Sequence, residues 1–378
     1  MKKNVPKNGE VVKNTPHVIR GIEDFRGKVG DRVVTCLTGM RPSGRLHLGH
    51  YKGALENWIA LQNNPNIKNN FLIADYQVLG DHLGDTERLR ASVIDMVIDW
   101  LAVGLDPKKS NFVVQSYVPE FAELFNLLTM FTPYSVATNN PTLKDEMKKI
   151  ENRGEGENSF VSLGFINYPV SQVADIMLPY GEIVPVGEDQ IPHIELARKI
   201  IKKVNTMYGT DFPLPLAMIS ETPRLVGTDG SDKMSKSLGN TIYLTATLKE
   251  ITAGVNSMYT DPGKTNVQAK GNLEKHVVFK YLDIFYKDKA HLEDLKKRYV
   301  EGGEHSVGDG EVKKLLIKVL DELIAPIREQ REYYKNNMDL VISSIAEGSQ
   351  NVRNMGQDLL SELKEKMGIL DYGREFRR

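Results

Sequence analysis

Short apolar runs that alternate with amphipathic segments constrain the fold of this chain more than any other feature of its sequence. The run RVVTCLTG, which begins at Arg32, is rich in β-branched residues and predicts a buried strand. The segment that follows, residues 49–62, places apolar side chains on one helical face. The alternation continues through predicted strands at residues 71–80, 111–116 and 182–187 and predicted helices at residues 86–101, 119–131 and 192–203. This order of elements predicts a parallel α/β sheet of the doubly wound, Rossmann-like class.

The pattern changes to almost pure helix after the α/β region. Residues 310–336 keep a long helical repeat of valine and leucine, and we therefore predict an all-helical C-terminal domain at residues 246–378. The Rossmann-like domain is predicted at residues 31–245. Within it, residues 132–164 are rich in polar and charged side chains and in glycine, which favours a surface insertion.

The N-terminus and the overall composition limit the class of protein. Residues 1–30 carry little periodicity and are interpreted as a polar extension with a short helix at residues 16–25. Residues 1–15 lack the apolar core of an export signal, and no stretch reaches the roughly 20 apolar residues of a membrane span. The single cysteine, Cys36, excludes an internal disulfide and a thiolate zinc site. We therefore expect a cytoplasmic protein with no membrane partner.

The net charge does not select a partner. The chain has 49 lysine and arginine residues against 50 aspartate and glutamate residues. Because a basic surface can be local, this balance neither favours nor excludes a nucleic acid.

A loop rich in glycine follows the first predicted strand. It spans residues 38–50 with the sequence TGMRPSGRLHLGH. Gly44 and Gly49 permit close approach of the backbone, and the start of the next helix offers free N–H groups. His47 and His50 can donate hydrogen bonds to phosphate oxygens. The loop therefore predicts a phosphate-binding site, and the alternative is a helix cap with solvated histidines.

A second polar loop lies nearly two hundred residues later, at residues 227–239, with the sequence GTDGSDKMSKSLG. Lys233 and Lys236 supply the positive charge that a leaving pyrophosphate requires, and serine hydroxyls and backbone N–H groups add hydrogen bonds. The loop predicts a mobile anion clamp. The alternative is a flexible, solvated surface loop.

The two loops together resemble the two signatures of the class I aminoacyl-tRNA synthetases. HLGH at residues 47–50 resembles the first signature, and KMSKS at residues 233–237 matches the second. The resemblance implies that ATP, with Mg²⁺, activates an amino acid, which is then transferred to tRNA.

The middle of the chain resembles the tryptophanyl enzymes of the bacterial type within this class. The segments that carry this resemblance are YPVSQVADI at residues 168–176 and VPVGEDQIPH at residues 184–193. The similarity covers roughly residues 34–290 and fades towards both ends of the chain. It implies that L-tryptophan is the amino acid and that tRNA(Trp) is the acceptor.

The first of these segments predicts one face of a binding pocket. Pro169 favours the first turn of a helix, and Tyr168, Gln172 and Asp175 then recur on one side of that helix. The resemblance implies that Asp175 accepts the indole N–H and that Tyr168 and Gln190 hold the ammonium group. Gln172 stands where many tryptophanyl enzymes have methionine.

The resemblance also implies a set of ATP contacts on both loops and at the end of the strand at residues 182–187, where open α/β sheets bind ligands. These residues are Arg41, Pro42, Ser43, Gly49, His50, Gly187, Glu188, Asp189, Leu225, Lys233, Met234, Ser235, Lys236 and Ser237. The catalytic set that it implies is His47, His50, Lys233 and Lys236. Arg41 stands where many members of the family have glutamine.

The resemblance further implies a homodimer, with tRNA that crosses both subunits. Basic and aromatic residues in the predicted C-terminal domain, for example in PIREQREYYKNN and YGREFRR, are candidates for anticodon contact. The alternative is that these residues form ordinary solvated helix faces.

Three other functions are compatible with parts of the pattern. A tyrosine–tRNA ligase shares the fold, but GEDQ at residues 187–190 favours tryptophan. A nucleotidyltransferase shares the first loop and lacks the second. A synthetase-like RNA-binding paralogue without catalysis is disfavoured by the intact histidines and lysines of both signatures.

Overall fold

The computed structural model describes residues 17–79, 84, 86–151, 161–219, 225–232 and 234–369. Across these residues, one sheet of six parallel strands forms the centre of the α/β region. The strands are β1 (Val18–Arg20), β2 (Val34–Met40), β3 (Ile67–Ile73), β4 (Ser110–Val114), β5 (Ile183–Val186) and β6 (Leu216–Ile219). They pair in the order β1-β6-β5-β2-β3-β4, which confirms the predicted Rossmann-like class. The order reverses between β2 and β5, so the carboxyl ends of these strands border a crevice.

Helices cover the sheet and connect its strands. In the α/β region they are α1 (Gly21–Val29), α2 (Leu48–His50), α3 (Glu56–Gln62), α4 (Asp75–Val78), α5 (Thr86–Ala102), α6 (Glu120–Phe131), α7 (Tyr134–Thr138), α8 (Pro141–Glu151), α9 (Leu163–Met177) and α10 (Ile191–Tyr208). A π-helical turn, Tyr51–Leu55, joins α2 to α3. The last three residues of β3 and of β4 are apolar on both faces, because helices bury both sides of a parallel sheet.

The expectation for the N-terminal residues is wrong for residues 18–29. They form β1, which pairs with β6 at the edge of the sheet, and α1, which buries Phe25 and Val29 near Cys36. The predicted helix at residues 16–25 therefore begins later, and the predicted polar extension is part of the sheet region. A strand of three residues is too short to show a period of two in the sequence. Residues 1–16 lie outside the described residues.

The predicted insertion at residues 132–164 contains α7 and α8. It is not only a surface segment, because Leu143 and Ile150 of α8 are buried against Phe165 of α9. Residues 152–160 of the insertion lie outside the described residues.

The C-terminal region is helical, as expected. Its helices are α11 (Leu248–Asn256), α12 (Val277–Phe285), α13 (Lys289–Glu301), α14 (Asp309–Asn336) and α15 (Met338–Lys366). One hydrophobic cluster runs from Trp100 of α5 to Leu320 of α14, so these helices share a core with the α/β region. The boundary at residues 245–246 stays a prediction.

Helix α15 covers the edge of the sheet at β4. A Cβ atom added at Gly348 would lie 2.4 Å from the backbone N and O atoms of Phe112, so this close approach requires glycine. The Ser349 Oγ accepts a hydrogen bond of 3.1 Å from the Val114 N–H. The contact protects an edge strand that would otherwise expose unpaired backbone groups.

We find no helix with the length and apolar character that crossing a membrane requires, as far as the described ranges extend.

Candidate active site

The first glycine-rich loop ends in two histidines that cap a helix. The His47 Nδ1 accepts a hydrogen bond from the Gly49 N–H at 3.1 Å, and the His50 Nδ1 accepts one from the His47 N–H at 3.1 Å. The two rings lie 3.8 Å apart. A Cβ atom added at Gly49 would lie 2.9 Å from the His47 ring, so the arrangement requires glycine here. The helix cap, which was the alternative interpretation of this loop in the sequence, is therefore present. It fixes the orientation of both imidazole rings.

The same contacts set the protonation of the histidines. Because each Nδ1 accepts a hydrogen bond, each neutral ring carries its proton on Nε2 and can donate it. Burial, together with the charge of Lys236, lowers the pKa of His47 to about 4. Burial, with His47 and Lys236, lowers the pKa of His50 to about 3. At neutral pH the pair therefore offers two neutral N–H donors.

The second loop folds against the first. The Lys236 Nζ donates to the carbonyl oxygens of Ser43 at 3.1 Å and Gly44 at 3.0 Å. The Ser235 N–H donates to the Asn240 Oδ1 at 2.7 Å. Lys236 is thus directly beside the first loop, as the predicted phosphate clamp requires.

Buried backbone contacts anchor the second loop. The Met234 N–H donates to the carbonyl of Leu225 at 3.3 Å, and both side chains are buried. Lys233 and the Ser237 side chain lie outside the described residues.

Backbone pairing explains how two loops so distant in sequence meet. His47 pairs with Tyr243 in an isolated antiparallel bridge. The Leu244 N–H donates to the Leu46 carbonyl at 3.0 Å, and the Leu48 N–H donates to the Ile242 carbonyl at 2.9 Å. The segment that follows the second loop is therefore fixed to the start of α2.

A cavity of about 400 Å³ opens at the carboxyl ends of β2 and β5. Six of the predicted site residues line it, namely Arg41, Tyr168, Gln172, Asp175, Gly187 and Gln190. Glu188 does not line the cavity, because its carboxylate pairs with Arg20 of β1 at 3.2 Å. The Asp189 side chain accepts a hydrogen bond from the Gln190 amide at 3.0 Å.

Asp175 is the buried carboxylate of this cavity, with 4% of its surface exposed. Its Oδ1 accepts a hydrogen bond from the Gln115 amide at 2.7 Å, and its Oδ2 accepts one from the Gln77 amide at 3.1 Å. Burial, with a smaller contribution from the nearby Asp75, raises the pKa of Asp175 to about 7 against the lowering effect of the two amides. Neither glutamine was predicted as a site residue, because both lie within predicted strands, whereas the observed strands end before them, at Ile73 and Val114.

Tyr168 belongs to a chain of hydrogen bonds whose other members were not predicted from the sequence. The Asn140 amide donates to the His193 Nδ1 at 3.2 Å, which places the histidine proton on Nε2, 3.2 Å from the Tyr168 hydroxyl oxygen. The Tyr168 hydroxyl donates to the Glu146 Oε2 at 2.8 Å. Burial lowers the pKa of His193 to about 4, so this ring is neutral. The predicted insertion thus supplies Glu146 to the wall of the cavity, and it supplies Asn140 as the partner of His193.

The position of Pro169 differs from the prediction. Helix α9 begins at Leu163, where the Ser162 Oγ caps it by accepting from the Phe165 N–H at 3.0 Å, and Pro169 lies inside the helix. The sequence did not reveal this earlier helix start, because a serine cap seven residues before Pro169 carries little signal of its own. The predicted face is nevertheless present, since Tyr168, Gln172 and Asp175 all line the cavity.

Comparisons with known proteins agree with this geometry. The family model described as "tRNA synthetases class I (W and Y)" matches residues 30–325. The chain is 44% identical over 340 residues to a tryptophan–tRNA ligase of Clostridium longisporum, in an alignment that covers 88% of this chain and 96% of that relative. It is 42% identical over 339 residues to one of Streptococcus pyogenes serotype M3, covering 88% and 97%.

A solved structure is similar over the same length. The tryptophanyl-tRNA synthetase of Campylobacter jejuni, complexed with ADP and tryptophan, is 33% identical, with a TM-score of 0.78. The alignment covers 89% of this chain and 100% of that one. The cavity, the two joined loops and these similarities together identify the chain as a member of the class I tRNA synthetases of the tryptophanyl and tyrosyl group.

Proposed function

We propose that this aminoacyl-tRNA synthetase is a tryptophan–tRNA ligase, which activates L-tryptophan with ATP and transfers it to tRNA(Trp). The observation that carries this proposal is a buried carboxylate in a cavity that opens at the same end of the sheet as the two joined signature loops. The relatives named above are tryptophan–tRNA ligases, and the Campylobacter jejuni structure contains tryptophan and ADP, which supports both substrates.

The cavity suits tryptophan chemically. Its walls include apolar side chains, for example Phe165 and Val186, that can contact an indole ring. Asp175 accepts the indole N–H, and an analogue without that donor leaves a buried carboxylate unpaired. Tyr168 and Gln190 hold the ammonium group, and Glu146, which also lines the cavity, adds a negative charge.

The two loops bind ATP and stabilise the charge that develops during activation. The tryptophan carboxylate attacks the α-phosphorus, and pyrophosphate leaves. His47 and His50 donate through their Nε2–H groups, and Lys236 exchanges the carbonyls of Ser43 and Gly44 for phosphate oxygens. Lys233, the first lysine of the signature KMSKS, has the same role. A ribose hydroxyl of tRNA, by family resemblance the 2′-hydroxyl, then attacks the carbonyl carbon of the acyl-adenylate, and AMP leaves.

The remaining predicted residues complete the ATP site. Pro42, Ser43 and Gly49 belong to the loop that holds the phosphates, Arg41 and Gly187 reach ATP from the cavity wall, and Glu188 and Asp189 follow β5. Met234, Ser235 and Ser237 belong to the second loop, and Leu225, which precedes that loop, lies against adenine.

Mg²⁺ is proposed as a part of the nucleotide substrate. In the ranges of the chain that the structure describes, no group of three or more histidine, cysteine, aspartate or glutamate residues can hold a metal ion. The described side chains therefore do not fit a resident metal site. Mg²⁺ commonly binds through substrate phosphates and water, so we expect it to enter with ATP.

The activation step is tested by amino-acid-dependent ATP–pyrophosphate exchange with tryptophan, tyrosine and phenylalanine in parallel. Exchange is expected with tryptophan, at a kcat/KM higher than for the other two amino acids by roughly four orders of magnitude, because a site built for a polar donor rejects ligands without it. Exchange with tyrosine instead would identify a tyrosine–tRNA ligase. Exchange with none would indicate a non-catalytic relative.

A homodimer is proposed as the working form. Large apolar side chains of the α/β region are exposed, notably Tyr117, Met130, Tyr134 and Leu163, each more than 60% exposed. Such side chains favour a protein partner. Sedimentation velocity at working concentration is expected to give a dimer, and Tyr134→Lys with Leu163→Lys is expected to shift the population to monomer. The exposed Tyr333→Lys serves as a control, and a monodisperse wild-type monomer would contradict the proposal.

The C-terminal helices are proposed to contact the anticodon. The exposed Tyr333 and Lys335 of α14 are available for this contact, whereas Arg331 is buried in an ion pair. The segment YGREFRR lies outside the described residues. A cytoplasmic location is proposed from the function, since charged tRNA is consumed there.

A further inference from the structure

A carboxylate outside the cavity organises the surroundings of Asp175. Asp75 begins α4, directly after β3, and Ser116 lies in the turn directly after β4. The Asp75 Oδ1 accepts from the Ser116 N–H at 3.0 Å, and its Oδ2 accepts from the Ser116 hydroxyl. This contact joins the carboxyl ends of two neighbouring strands. It brings Gln77, two residues beyond Asp75, and Gln115, one residue before Ser116, to the two oxygens of Asp175.

The two amides leave acceptor capacity on Asp175. Each carboxylate oxygen has two lone pairs, and each accepts one hydrogen bond, from Gln115 at 2.7 Å or from Gln77 at 3.1 Å. One acceptor position therefore remains on each oxygen. Gln77 lines the cavity together with Asp175, whereas Gln115 lines an adjoining cavity that shares Gln77 and Tyr168 with the first.

The position of the Gln115 side chain does not satisfy both of its own polar groups. It is 1% exposed, and its carbonyl Oε1 has no hydrogen-bond partner within the part of the chain that the structure describes. Leaving a buried carbonyl unpaired costs free energy, and native proteins rarely do so without a reason. The bond to Asp175 is the contact that accounts for this orientation of the amide.

The surroundings otherwise favour a neutral carboxylic acid at Asp175. Asp75 on α4 and Glu146 on α8 are acidic, and the nearby His193 on α10 is neutral. A neutral carboxylic acid donates a hydrogen bond as well as accepting one. In that form it would accommodate a ligand that offers an acceptor, such as a thioether or a phenol oxygen.

From this geometry we infer that Gln77 and Gln115 are specificity-determining residues, whose amides fix both oxygens of Asp175 as acceptors and so select amino acids with a ring N–H donor. Asp75 and Ser116 are positioning residues for the two amides. The inference rests on the proposed role of Asp175 in binding the indole N–H.

The test compares wild type with Gln115→Leu in ATP–pyrophosphate exchange at pH 6.5 and pH 8.5. The amino acids are tryptophan and 3-benzothienylalanine, in which sulfur replaces the indole N–H. Without the amide, Asp175 binds a proton more readily, and a proton on Asp175 competes with the indole N–H. The KM of the variant for tryptophan is therefore expected to rise about tenfold relative to wild type at pH 6.5, for a shift of about one pKa unit. It is expected to return towards wild type at pH 8.5, with little change in kcat.

A loss of discrimination is the second expected result. At pH 6.5, the preference of Gln115→Leu for tryptophan over the benzothienyl analogue is expected to be about tenfold smaller than that of wild type. The reason is that a protonated Asp175 loses less free energy than a carboxylate does when the ligand offers no hydrogen-bond donor. Gln77→Leu, on a different element, is expected to change KM and preference in the same direction. It keeps the inference testable if Gln115→Leu does not fold.

A matched control removes an amide from β4, the strand that Gln115 directly follows. Asn111 of β4 binds Asn70 at 2.8 Å and Asn351 at 2.9 Å and does not touch Asp175. Asn111→Leu is expected to keep the wild-type KM at both pH values. Equal effects of Asn111→Leu and Gln115→Leu would reduce the glutamine to a general structural role and overturn the inference.

The variant Asp175→Ala separates the proposed role of Asp175 from the proposed roles of the two glutamines. If it keeps full preference for tryptophan over the benzothienyl analogue, the assignment of Asp175 fails, and the inference fails with it. If it loses that preference while both glutamine variants keep the wild-type KM and pH dependence, the glutamine inference alone fails. If wild type shows no exchange with tryptophan, the proposed function fails.

Discussion

Lys236→Ala is expected to lower the kcat of ATP–pyrophosphate exchange by roughly two to three orders of magnitude, which is the typical cost of removing one preorganised charge-stabilising donor. Lys236 already lies at hydrogen-bond distance from the carbonyls of Ser43 and Gly44 in the first loop. The charge is therefore in place before the reaction and need not be brought from solvent. Tryptophan binding, which uses the cavity around Asp175, is expected to change little. Steady-state exchange kinetics and equilibrium binding of tryptophan measure the two effects separately.

A second lysine provides the control for this prediction. Lys203 of α10 also donates to a backbone carbonyl, that of Phe131 at 2.7 Å, at a distance from both signature loops in the fold. Lys203→Ala is expected to exchange at the wild-type rate. If Lys236→Ala also exchanged at the wild-type rate, the clamp would have to depend on other groups, and the proposed role of Lys236 would be wrong.

Arg331→Met is expected to lower the free energy of unfolding by about 3–5 kcal/mol, because it leaves a buried carboxylate without its partner. Arg331 of α14 is paired with Asp99 of α5, and their side chains are 7% and 2% exposed. It also binds the Asp95 carboxylate at 3.1 Å. Burial raises the pKa of Asp99 to about 6 even though Arg331 opposes that effect, which shows how far this carboxylate is removed from water. Urea unfolding followed by circular dichroism measures the change.

Replacing both partners tests the physical cause. Asp99→Leu combined with Arg331→Met removes both charges together and is expected to recover most of the stability, since a buried ion pair often contributes little beyond an apolar pair of similar volume. Lys318→Met, which breaks an exposed pair with Glu322 on the same helix, should change stability by less than about 1 kcal/mol. If Arg331→Met lowered the free energy of unfolding as little as Lys318→Met, the Arg331–Asp99 pair would not be excluded from water.

The parts of the fold that could be predicted are those with a local signal. The strands β2, β4 and β5 follow from apolar runs of β-branched residues, and α14 follows from a long helical repeat. The strand predicted at residues 71–80 is misplaced, because β3 spans Ile67–Ile73 and residues 75–78 form α4. β1 and β6 have three and four residues, so their place in the sheet depends on pairing with each other rather than on their own sequence. Pro169 was misplaced because the helix start at Ser162 depends on a capping contact that apolar periodicity does not show.

The residues of the candidate site also differ in how far the sequence could predict them. His47, His50 and Lys236 lie together because their motifs encode a backbone arrangement along with the residues. Gln77, Gln115, Glu146 and His193 were missed because each one acquires its role from a partner on another element. The two glutamines lie at the carboxyl edge of the sheet, where ligands bind, because β3 and β4 end at Ile73 and Val114. The predicted strands at residues 71–80 and 111–116 extend past these ends, so the sequence did not place the glutamines at that edge.

The burial of Cys36 has a practical consequence for measuring how the two loops move. The chain has a single cysteine, which is fully buried in β2, and burial raises the pKa of its thiol above its usual range. A thiolate is the form that reacts with maleimides and spin labels, so the folded protein supplies a background of low reactivity. Cysteines introduced near Ser43 and in the segment beyond Lys236 would then carry probes without interference from Cys36. The chain can therefore report the distance between its two loops, during turnover, by spectroscopy.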